Sequence, residues 1–251
     1  MRFKALLFDL GGTLWDFKDE SARETMRYEL GKKFIDVMSS YGIEVCWDPM
    51  FIGSAIGNAL WTAELYRYYT TGIPPSYSDV VKAVAQYWIP DLADNQIDWQ
   101  HVFDMTYVPE SNYKRPFDDT IEALKILKSM GIKMIVVSNR IRGGERFARE
   151  WAENISFSKY FDGYVLSCDL GFMKPRREIF EEALRIVEAS PHEAAMIGDL
   201  LRADVLGANM IGMTSIWINR SGKRPTYTSV KPDFEIASLL ELPDIVMGKS
   251  A

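Results

Sequence analysis

The sequence has little cysteine, little histidine and no long apolar run. Its 251 residues include two cysteines and two histidines. Cys46 and Cys168 lie far apart and match no spacing of metal ligands or redox pairs, so we expect neither a disulfide framework nor a thiolate metal site. No apolar stretch approaches the roughly 20 residues that span a membrane, and the amino terminus lacks the pattern of a signal peptide. We therefore expect a cytoplasmic protein with no membrane partner.

An excess of basic charge is also absent. The formal net charge is −6 and the pI is about 5.1, whereas nucleic-acid-binding domains usually carry a basic face. The sequence therefore predicts no nucleic-acid partner. With 47% hydrophobic and 25% charged residues, the chain can bury a core large enough for one large domain or two small ones.

The stretch from Phe3 to Trp15 contains the first candidate functional residue. An apolar run ends at Asp9 and is followed by Gly11 and Gly12, which is typical of a buried strand that leads into a glycine turn. Functional carboxylates of open α/β sheets lie at such strand ends, so Asp9 is a candidate nucleophile. An aspartate after a strand also commonly begins a turn, and the rest of the chain must decide between the two interpretations.

Residues 16–108 have helical periodicity and no strand pattern. A capping box at Ser21 and Glu24 predicts a helix that ends at Gly42, and Asp48 before Pro49 predicts a second helix that runs toward Gly72. The remaining predicted helices begin at Ser78, ending before Pro90, and at Ile97, ending at Tyr107. The segment is acidic, with 7 Lys and Arg against 14 Asp and Glu.

After Pro116 helices alternate with short apolar strands. The predicted strands are 132–137, 164–166, 195–197, 215–218 and 234–236, and the predicted helices are 121–130, near 146–153, from Pro175 and past Asp204. This alternation predicts a parallel sheet with helices on both faces, in which the amino-terminal strand must also pair. The expected fold class is α/β: a doubly wound parallel-sheet, Rossmann-like core from residues 1–15 and 109–251, with an all-helical cap domain at 16–108.

Polar residues of complementary chemistry follow three more predicted elements. Ser138 and Asn139 follow one strand, Lys174 precedes a helix, and Asp199 follows another strand with Asp204 five residues on. A carboxylate nucleophile, a hydroxyl and an ammonium for phosphate oxygens, and carboxylates for Mg²⁺ together suit phosphoryl transfer.

Four segments resemble the motifs of the haloacid dehalogenase superfamily, whose members are mostly phosphatases. They are FDLGGTL, VVSN, GFMKPRREIF and GDLLRAD, in the family's order and with a helical insertion after the first. The resemblance implies a catalytic set, a phosphate-binding set and a Mg²⁺-binding set. The catalytic set is Asp9, Thr13, Ser138 and Lys174. The phosphate-binding set is Gly12, Thr13, Ser138, Asn139 and Lys174. The Mg²⁺-binding set is Asp9, the carbonyl of Gly11, Asp199 and Asp204.

Gly11 departs from the family pattern. Phosphatases of the family usually carry a second aspartate there, which serves as general acid and base. We expect a Mg²⁺-dependent hydrolase that cleaves a small phosphorylated metabolite through an aspartyl-phosphate on Asp9. Three alternatives remain open: a C–P hydrolase using Lys32 or Lys33 for Schiff-base chemistry, a 2-haloacid dehalogenase, and a binding or regulatory relative with little turnover. The aromatic residues of 16–108 either pack the helical bundle or line a substrate pocket, and the sequence sets no oligomeric state.

Overall fold

A computed structural model describes residues 2–89, 92, 97–223 and 229–248. The strands in these ranges are β1 Ala5–Phe8, β2 Trp15–Phe17, β3 Lys114–Pro116, β4 Lys133–Ser138, β5 Gly163–Leu166, β6 Ala194–Gly198, β7 Thr214–Ile218 and β8 Phe234–Ile236. The α-helices are α1 Glu20–Ser40, α2 Pro49–Thr70, α3 Tyr77–Trp88, α4 Trp99–Met105, α5 Thr120–Ser129, α6 Gly144–Glu153, α7 Ser167–Leu170, α8 Arg177–Val187, α9 Leu206–Met210 and α10 Leu242–Val246. None of these helices is long and apolar enough to cross a membrane.

The chain divides into two compact units. Unit 1 comprises Met1–Asp16, Arg115–Arg140 and Trp151–Ala251, and unit 2 comprises Phe17–Lys114 and Ile141–Glu150. The segment 16–108, predicted as a cap, falls in unit 2 apart from its first residue. No sequence pattern indicates that residues 141–150 also belong to unit 2.

Unit 1 contains a six-stranded sheet in the order β5-β4-β1-β6-β7-β8. Each neighbouring pair is parallel, and β1 is central, with Ala5 opposite both Lys133 and Ala194. All four residues of β1 are buried, as expected for a strand covered by helices on both faces. The predicted α/β class with a doubly wound parallel sheet is therefore confirmed.

One side of the sheet carries a continuous apolar core. Its sheet residues include Leu7, Val137 and Met196, and α8 contributes Ile179 and Phe180. All five are almost completely buried. This packing fixes the central strands against α8 and so holds the strand ends that carry the candidate site.

Unit 2 is mainly helical, and α1 crosses α2 at two glycines. A Cβ atom at Gly31 would lie 1.8 Å from the carbonyl oxygen of Pro49, and one at Gly53 would lie 1.7 Å from that of Arg27. The backbones of the two helices are therefore in direct contact at these glycines. Within the unit Trp99 is 8% exposed, whereas Trp61 is 60% exposed, so its aromatic side chains do not all pack the interior of the bundle.

Several predicted helix starts are wrong by one or two residues. Helix α1 is capped by Asp19, whose carboxylate accepts from the amide of Ala22, and Ser21 lies inside its first turn. Ser76 rather than Ser78 caps α3. Aspartate and serine are equally good caps, so composition alone does not select among neighbouring candidates. The cap of α2 at Asp48 is confirmed.

Two other predictions for this region need correction. Helix α4 begins at Trp99 and ends at Met105, inside the predicted 97–107. Strand β2 pairs with β3 in a two-stranded sheet, although no strand was predicted between 16 and 108. Three residues are too few to show an alternating pattern. The third predicted helix ends at Trp88, and Pro90 lies outside the described residues.

Candidate active site

Three adjacent strands of unit 1 place the candidate residues at one edge of the sheet. Asp9 follows β1, Ser138 ends β4, and Asp199 follows β6. Strand β1 lies between the other two, and parallel strands end on the same edge. The strand order therefore brings together side chains that are up to 190 residues apart in the chain.

Lys174 joins two of the predicted carboxylates. Its Nζ atom donates to Oδ1 of Asp9 at 2.6 Å and to Oδ1 of Asp204 at 2.7 Å. The side chain is almost fully buried. Burial lowers the pKa of Lys174, but the charges of Asp204 and Asp9 outweigh it and raise that pKa above its ordinary value. Lys174 is therefore a fixed cation between the two acids.

Asp9, Asp199 and Asp204 form an acidic cluster, with carboxylate oxygens that lie within 4.8 Å of one another. Burial, together with the charges of Asp9 and Asp204, raises the pKa of Asp199 to about 8. Burial also raises the pKa of Asp204, to about 6, because the repulsion from Asp9 adds to it while Lys174 offsets only part. One ammonium does not balance three carboxylates.

A divalent cation fits this donor set. Mg²⁺ takes oxygen ligands, and the cluster offers three carboxylates, with the backbone carbonyl of Gly11 in the loop that follows Asp9. The three carboxylates also repel one another at these separations, which favours a cation among them.

Two glycines make room for the cluster. Gly12 has a φ of +73°, and a Cβ atom there would lie 2.5 Å from Oδ2 of Asp199. A Cβ at Gly198 would lie 2.1 Å from Cγ of Asp204, which sits in a π-helical turn, Leu201–Val205. The amide of Leu200 donates to Oδ2 of Asp204 at 3.0 Å. Larger residues at either glycine would displace a carboxylate.

Thr13, Ser138 and Asn139 have different surroundings. Thr13 is fully buried, and its hydroxyl donates to Oδ1 of Asp199 at 3.3 Å. Ser138 is buried at the end of β4. The amide group of Asn139, predicted to bind phosphate, donates to the carbonyl of Lys174 at 3.0 Å and accepts from its N–H at 2.7 Å. Asn139 thus anchors the backbone of Lys174.

Gly11 is partly exposed and unobstructed. Among the residues that the structure describes, none beyond its two chain neighbours has an atom within 4 Å of the place that a Cβ would take, and its φ is not positive. The backbone at this position accepts a side chain.

Sequence reasoning missed two residues that contact the loops of Asp9 and Asp199, and a third that holds one of them in place. Arg220 donates to the carbonyl of Thr13, Asp119 accepts from Arg220, and Trp217 donates to the carbonyl of Asp199. A signal for Arg220 was present, since it lies just beyond strand β7, beside the strand that leads to Asp199. The rule that drew attention to the other strand ends applies to this one as well.

The family model of haloacid dehalogenase-like hydrolases matches residues 3–212. The chain belongs to this family and is a hydrolase.

Curated relatives carry phosphatase names. A glyceraldehyde 3-phosphate phosphatase of Methanopyrus kandleri is 34% identical over 140 residues, which cover 53% of this chain and 58% of the relative. One of Methanocaldococcus jannaschii is 25% identical over 245 residues, which cover 97% and 96%. The chain thus spans little more than half the length of the first relative and almost all of the second.

Solved structures share the fold. A HAD-hydrolase of Bacillus subtilis bound to magnesium has a TM-score of 0.64 at 21% identity, with 98% of this chain and 99% of that chain covered. A 2-haloacid dehalogenase of Pseudomonas syringae pv. Tomato DC3000 has a TM-score of 0.65 at 22% identity, with 98% of each chain covered.

Proposed function

We propose that this hydrolase cleaves small phosphate monoesters in a Mg²⁺-dependent reaction through an aspartyl-phosphate on Asp9. The observation that carries the proposal is the placement of Asp9 against a buried ammonium, Lys174, and within one acidic cluster with Asp199 and Asp204. A carboxylate in such a position is a suitable nucleophile for phosphorus, and the other two acids suit a metal ion.

The first step forms a covalent bond between a carboxylate oxygen of Asp9 and phosphorus. The ester P–O bond breaks, and the leaving oxygen departs with the electron pair and takes a proton from solvent. Water then attacks the phosphorus and gives a proton to solvent, the acyl-phosphate P–O bond breaks, and Asp9 is restored as a carboxylate while inorganic phosphate leaves. Lys174 and Ser138 stabilise the phosphoryl oxygens. Asp9, Asp199, Asp204 and the Gly11 carbonyl would hold Mg²⁺, which would supply positive charge that offsets the negative charge of the phosphate.

The substrate class follows from the chemistry and from the relatives. The two relatives described above are named glyceraldehyde 3-phosphate phosphatase, and a relative from Mus musculus, 28% identical over 131 residues, is named N-acylneuraminate-9-phosphatase. These names support a small phosphorylated metabolite as substrate. A cytoplasmic location is part of the proposal and rests on the composition of the sequence.

Gly11 supports a second candidate function, the hydrolysis of 2-haloacids. A halide leaves without a proton, so that reaction needs no acid at this position. The acidic cluster favours phosphate hydrolysis, because displacement of a halide needs no metal-binding carboxylates. Lys32 and Lys33, considered for C–P bond hydrolysis, lie on α1 in unit 2.

The test is a panel of phosphate monoesters and 2-haloacids, assayed for phosphate and halide release with Mg²⁺ or EDTA. We expect phosphate release that EDTA abolishes and Mg²⁺ restores. Asp9→Asn should lower turnover by at least about 10³-fold, since the covalent route is removed, while the melting temperature stays near that of the wild type. Halide release that persists in EDTA would support the dehalogenase instead. An active Asp9→Asn variant would exclude the covalent mechanism.

A further inference from the structure

Arg220 contacts the loop that carries the proposed nucleophile. Its Nη2 atom donates to the backbone carbonyl of Thr13 at 2.8 Å. Thr13 lies four residues after Asp9, and its hydroxyl in turn contacts the carboxylate of Asp199. A guanidinium on this carbonyl therefore restrains the part of the loop that lies between the two acids.

Arg220 is itself held rigidly. Its guanidinium forms a two-point ion pair with Asp119, at 2.9 and 3.1 Å, and lies 4.0 Å from the ring centre of Phe117. Asp119 also accepts from the hydroxyl of Ser238 at 2.7 Å and the amide of Leu239 at 2.8 Å. Burial alone would raise the pKa of Asp119, but these hydrogen bonds and the charge of Arg220 lower it.

Asp119 occupies the N-cap position of α5, yet its side chain makes no capping hydrogen bond. Aspartate at an N-cap usually accepts from the amides of the first helical turn. Here the carboxylate contacts Arg220 and the Ser238 region instead. Helix α5 therefore lacks the usual capping hydrogen bond, and the Asp119 carboxylate holds Arg220 instead.

Trp217 makes the equivalent contact with the second loop. Its Nε1 atom donates to the backbone carbonyl of Asp199 at 2.9 Å. Trp217 is buried and lies in β7, where it pairs with Gly198 in the register of the sheet. A side chain from the body of the sheet thus restrains the residue proposed to bind the metal.

We propose that Arg220 and Trp217 are positioning residues of the active site. Arg220 fixes the loop of Asp9 through Thr13, and Trp217 fixes the loop of Asp199. Together they keep the nucleophile and the metal-binding acids at their working separation. This inference rests on the proposed phosphatase function, and neither side chain needs to touch the substrate.

The experiment compares two conservative variants with two matched controls. Arg220→Lys keeps the charge but cannot bridge Asp119 and the Thr13 carbonyl with a planar fork. Trp217→Phe removes the indole N–H and keeps an aromatic ring. Arg185→Lys is the first control, because Arg185 forms a surface pair with Glu182. Trp99→Phe is the second, because its buried indole nitrogen has no hydrogen-bond partner among the described residues.

Two measurements are made on all four variants. The first is steady-state kinetics with an aryl phosphate, and the second is the melting temperature as a function of Mg²⁺ concentration. We expect kcat to fall about tenfold or more in Arg220→Lys and Trp217→Phe, with KM within about threefold of the wild type, because misplacing a reacting group by a fraction of an ångström costs rate rather than affinity. The Mg²⁺ concentration at half-maximal stabilisation should rise severalfold in Trp217→Phe. Both controls should match the wild type.

The inference is overturned if folded Arg220→Lys and Trp217→Phe keep the wild-type kcat and Mg²⁺ midpoint, whatever their melting temperatures, since the contacts would then serve stability alone. If Arg220→Lys does not fold, Trp217→Phe decides. The proposed function fails by a different result, a wild-type protein that releases no phosphate from any monoester. In that case the Mg²⁺ titration still tests whether Trp217 positions the acidic cluster.

Discussion

Gly11 lies where phosphatases of the family usually carry the aspartate that protonates the leaving group. The structure leaves open space for a side chain there, without positive φ. We expect Gly11→Asp to raise turnover of alkyl phosphates by up to about 10²–10⁴-fold, since proton transfer helps the poorest leaving groups most. Aryl phosphates, which leave without a proton, should change much less. Parallel kinetics on the two substrate classes measure the difference.

Gly11→Asn is the matched control, because it has the same size and no acidic proton. It should leave both rates near those of the wild type. If the wild type already cleaves alkyl and aryl phosphates equally fast, another residue supplies the proton, and the expected gain in Gly11→Asp will be absent.

Asp199 and Asp204 make the metal-free protein sensitive to pH. Their pKa values are raised in the folded state, to about 8 and about 6, so each folded carboxyl group binds its proton more tightly than the unfolded one. Their contribution to stability is therefore complete below about pH 4, where both states are protonated, and is lost as pH rises through 6 and 8. At high pH, where these carboxyl groups are ionised and repel one another, Mg²⁺ should offset the repulsion.

We expect Mg²⁺ to raise the melting temperature more at pH 8 than at pH 5, by about 3 °C or more, equivalent to about 1 kcal/mol. Thermal unfolding in EDTA and in Mg²⁺ at both pH values measures this difference. Asp199→Asn, which has no proton to lose, should flatten the metal-free profile. An Mg²⁺ effect that is equal at both pH values would contradict the electrostatic account.

At the scale of elements, the crossing of α1 and α2 depends on Gly31 and Gly53. A methyl group on either residue would overlap a backbone carbonyl of the other helix, and backbone atoms cannot rotate away. We expect Gly31→Ala and Gly53→Ala each to lower the free energy of unfolding by about 1–3 kcal/mol, the usual cost of overpacking. Denaturant unfolding at constant m-value measures the loss.

Gly57→Ala is the control, because Gly57 lies on α2 with Gly53. The nearest atom to its added methyl group would be a Leu30 side-chain carbon at 3.9 Å, an ordinary contact. Since alanine favours helix over glycine by about 1 kcal/mol, this variant should be as stable as the wild type or more so. A loss in Gly57→Ala as large as that in Gly31→Ala would mean that the close helix approach is not the cause.

The elements of the sheet were predictable because their signals are strong. Strand β4 reads as a continuous apolar run because both faces are buried, and glycine or proline marks the neighbouring helices. The cap of α1 was placed wrongly because Asp19 and Ser21 compete on equal terms, and tertiary packing decides between them. Strand β2 has three residues and was missed for want of a pattern.

The candidate site was predictable as a set of strand ends, but its supporting contacts were not. Asp9 and Asp199 interrupt the apolar character at the ends of two strands, and that contrast is visible in the sequence. Asn139 has the same signal, yet its amide contacts the Lys174 backbone. Which partner a polar side chain finds depends on neighbours more than 30 residues away, which no local pattern encodes.

At the scale of the whole chain, unit 2 recruits a distant segment, Ile141–Glu150. In this segment Arg142 donates to the carbonyl of Phe103 and, at 2.8 Å, to the hydroxyl of Thr106. Its guanidinium also lies 4.0 Å from the centre of the Phe103 ring. Burial lowers the pKa of Arg142 to about 10, so the group stays charged at neutral pH. It satisfies polar groups at the carboxyl end of α4.

We expect Arg142→Met to destabilise unit 2 by about 1–3 kcal/mol, because buried acceptors lose their donor. Hydrogen exchange of the amides of α4 should accelerate by about tenfold or more, and exchange in β1 and β6 should change less. Arg149→Met, on an exposed side chain of the same segment, is the control and should leave exchange unaltered. Uniformly unchanged exchange in Arg142→Met would show that the segment is not needed to hold α4.

The central position of β1 affects how the protein folds during translation on the ribosome. Ala5 is synthesised before its sheet partners, Lys133 and Ala194, which are 128 and 189 positions further along the chain. Until they emerge, a fully apolar strand stays unpaired on both edges, the kind of segment that aggregates or engages chaperones. Contacts this distant in sequence also slow folding, because a long loop must close before they form. The loop of the proposed nucleophile is thus synthesised well before the strands that hold it, and the candidate site can assemble only after β6, which ends at Gly198, has emerged.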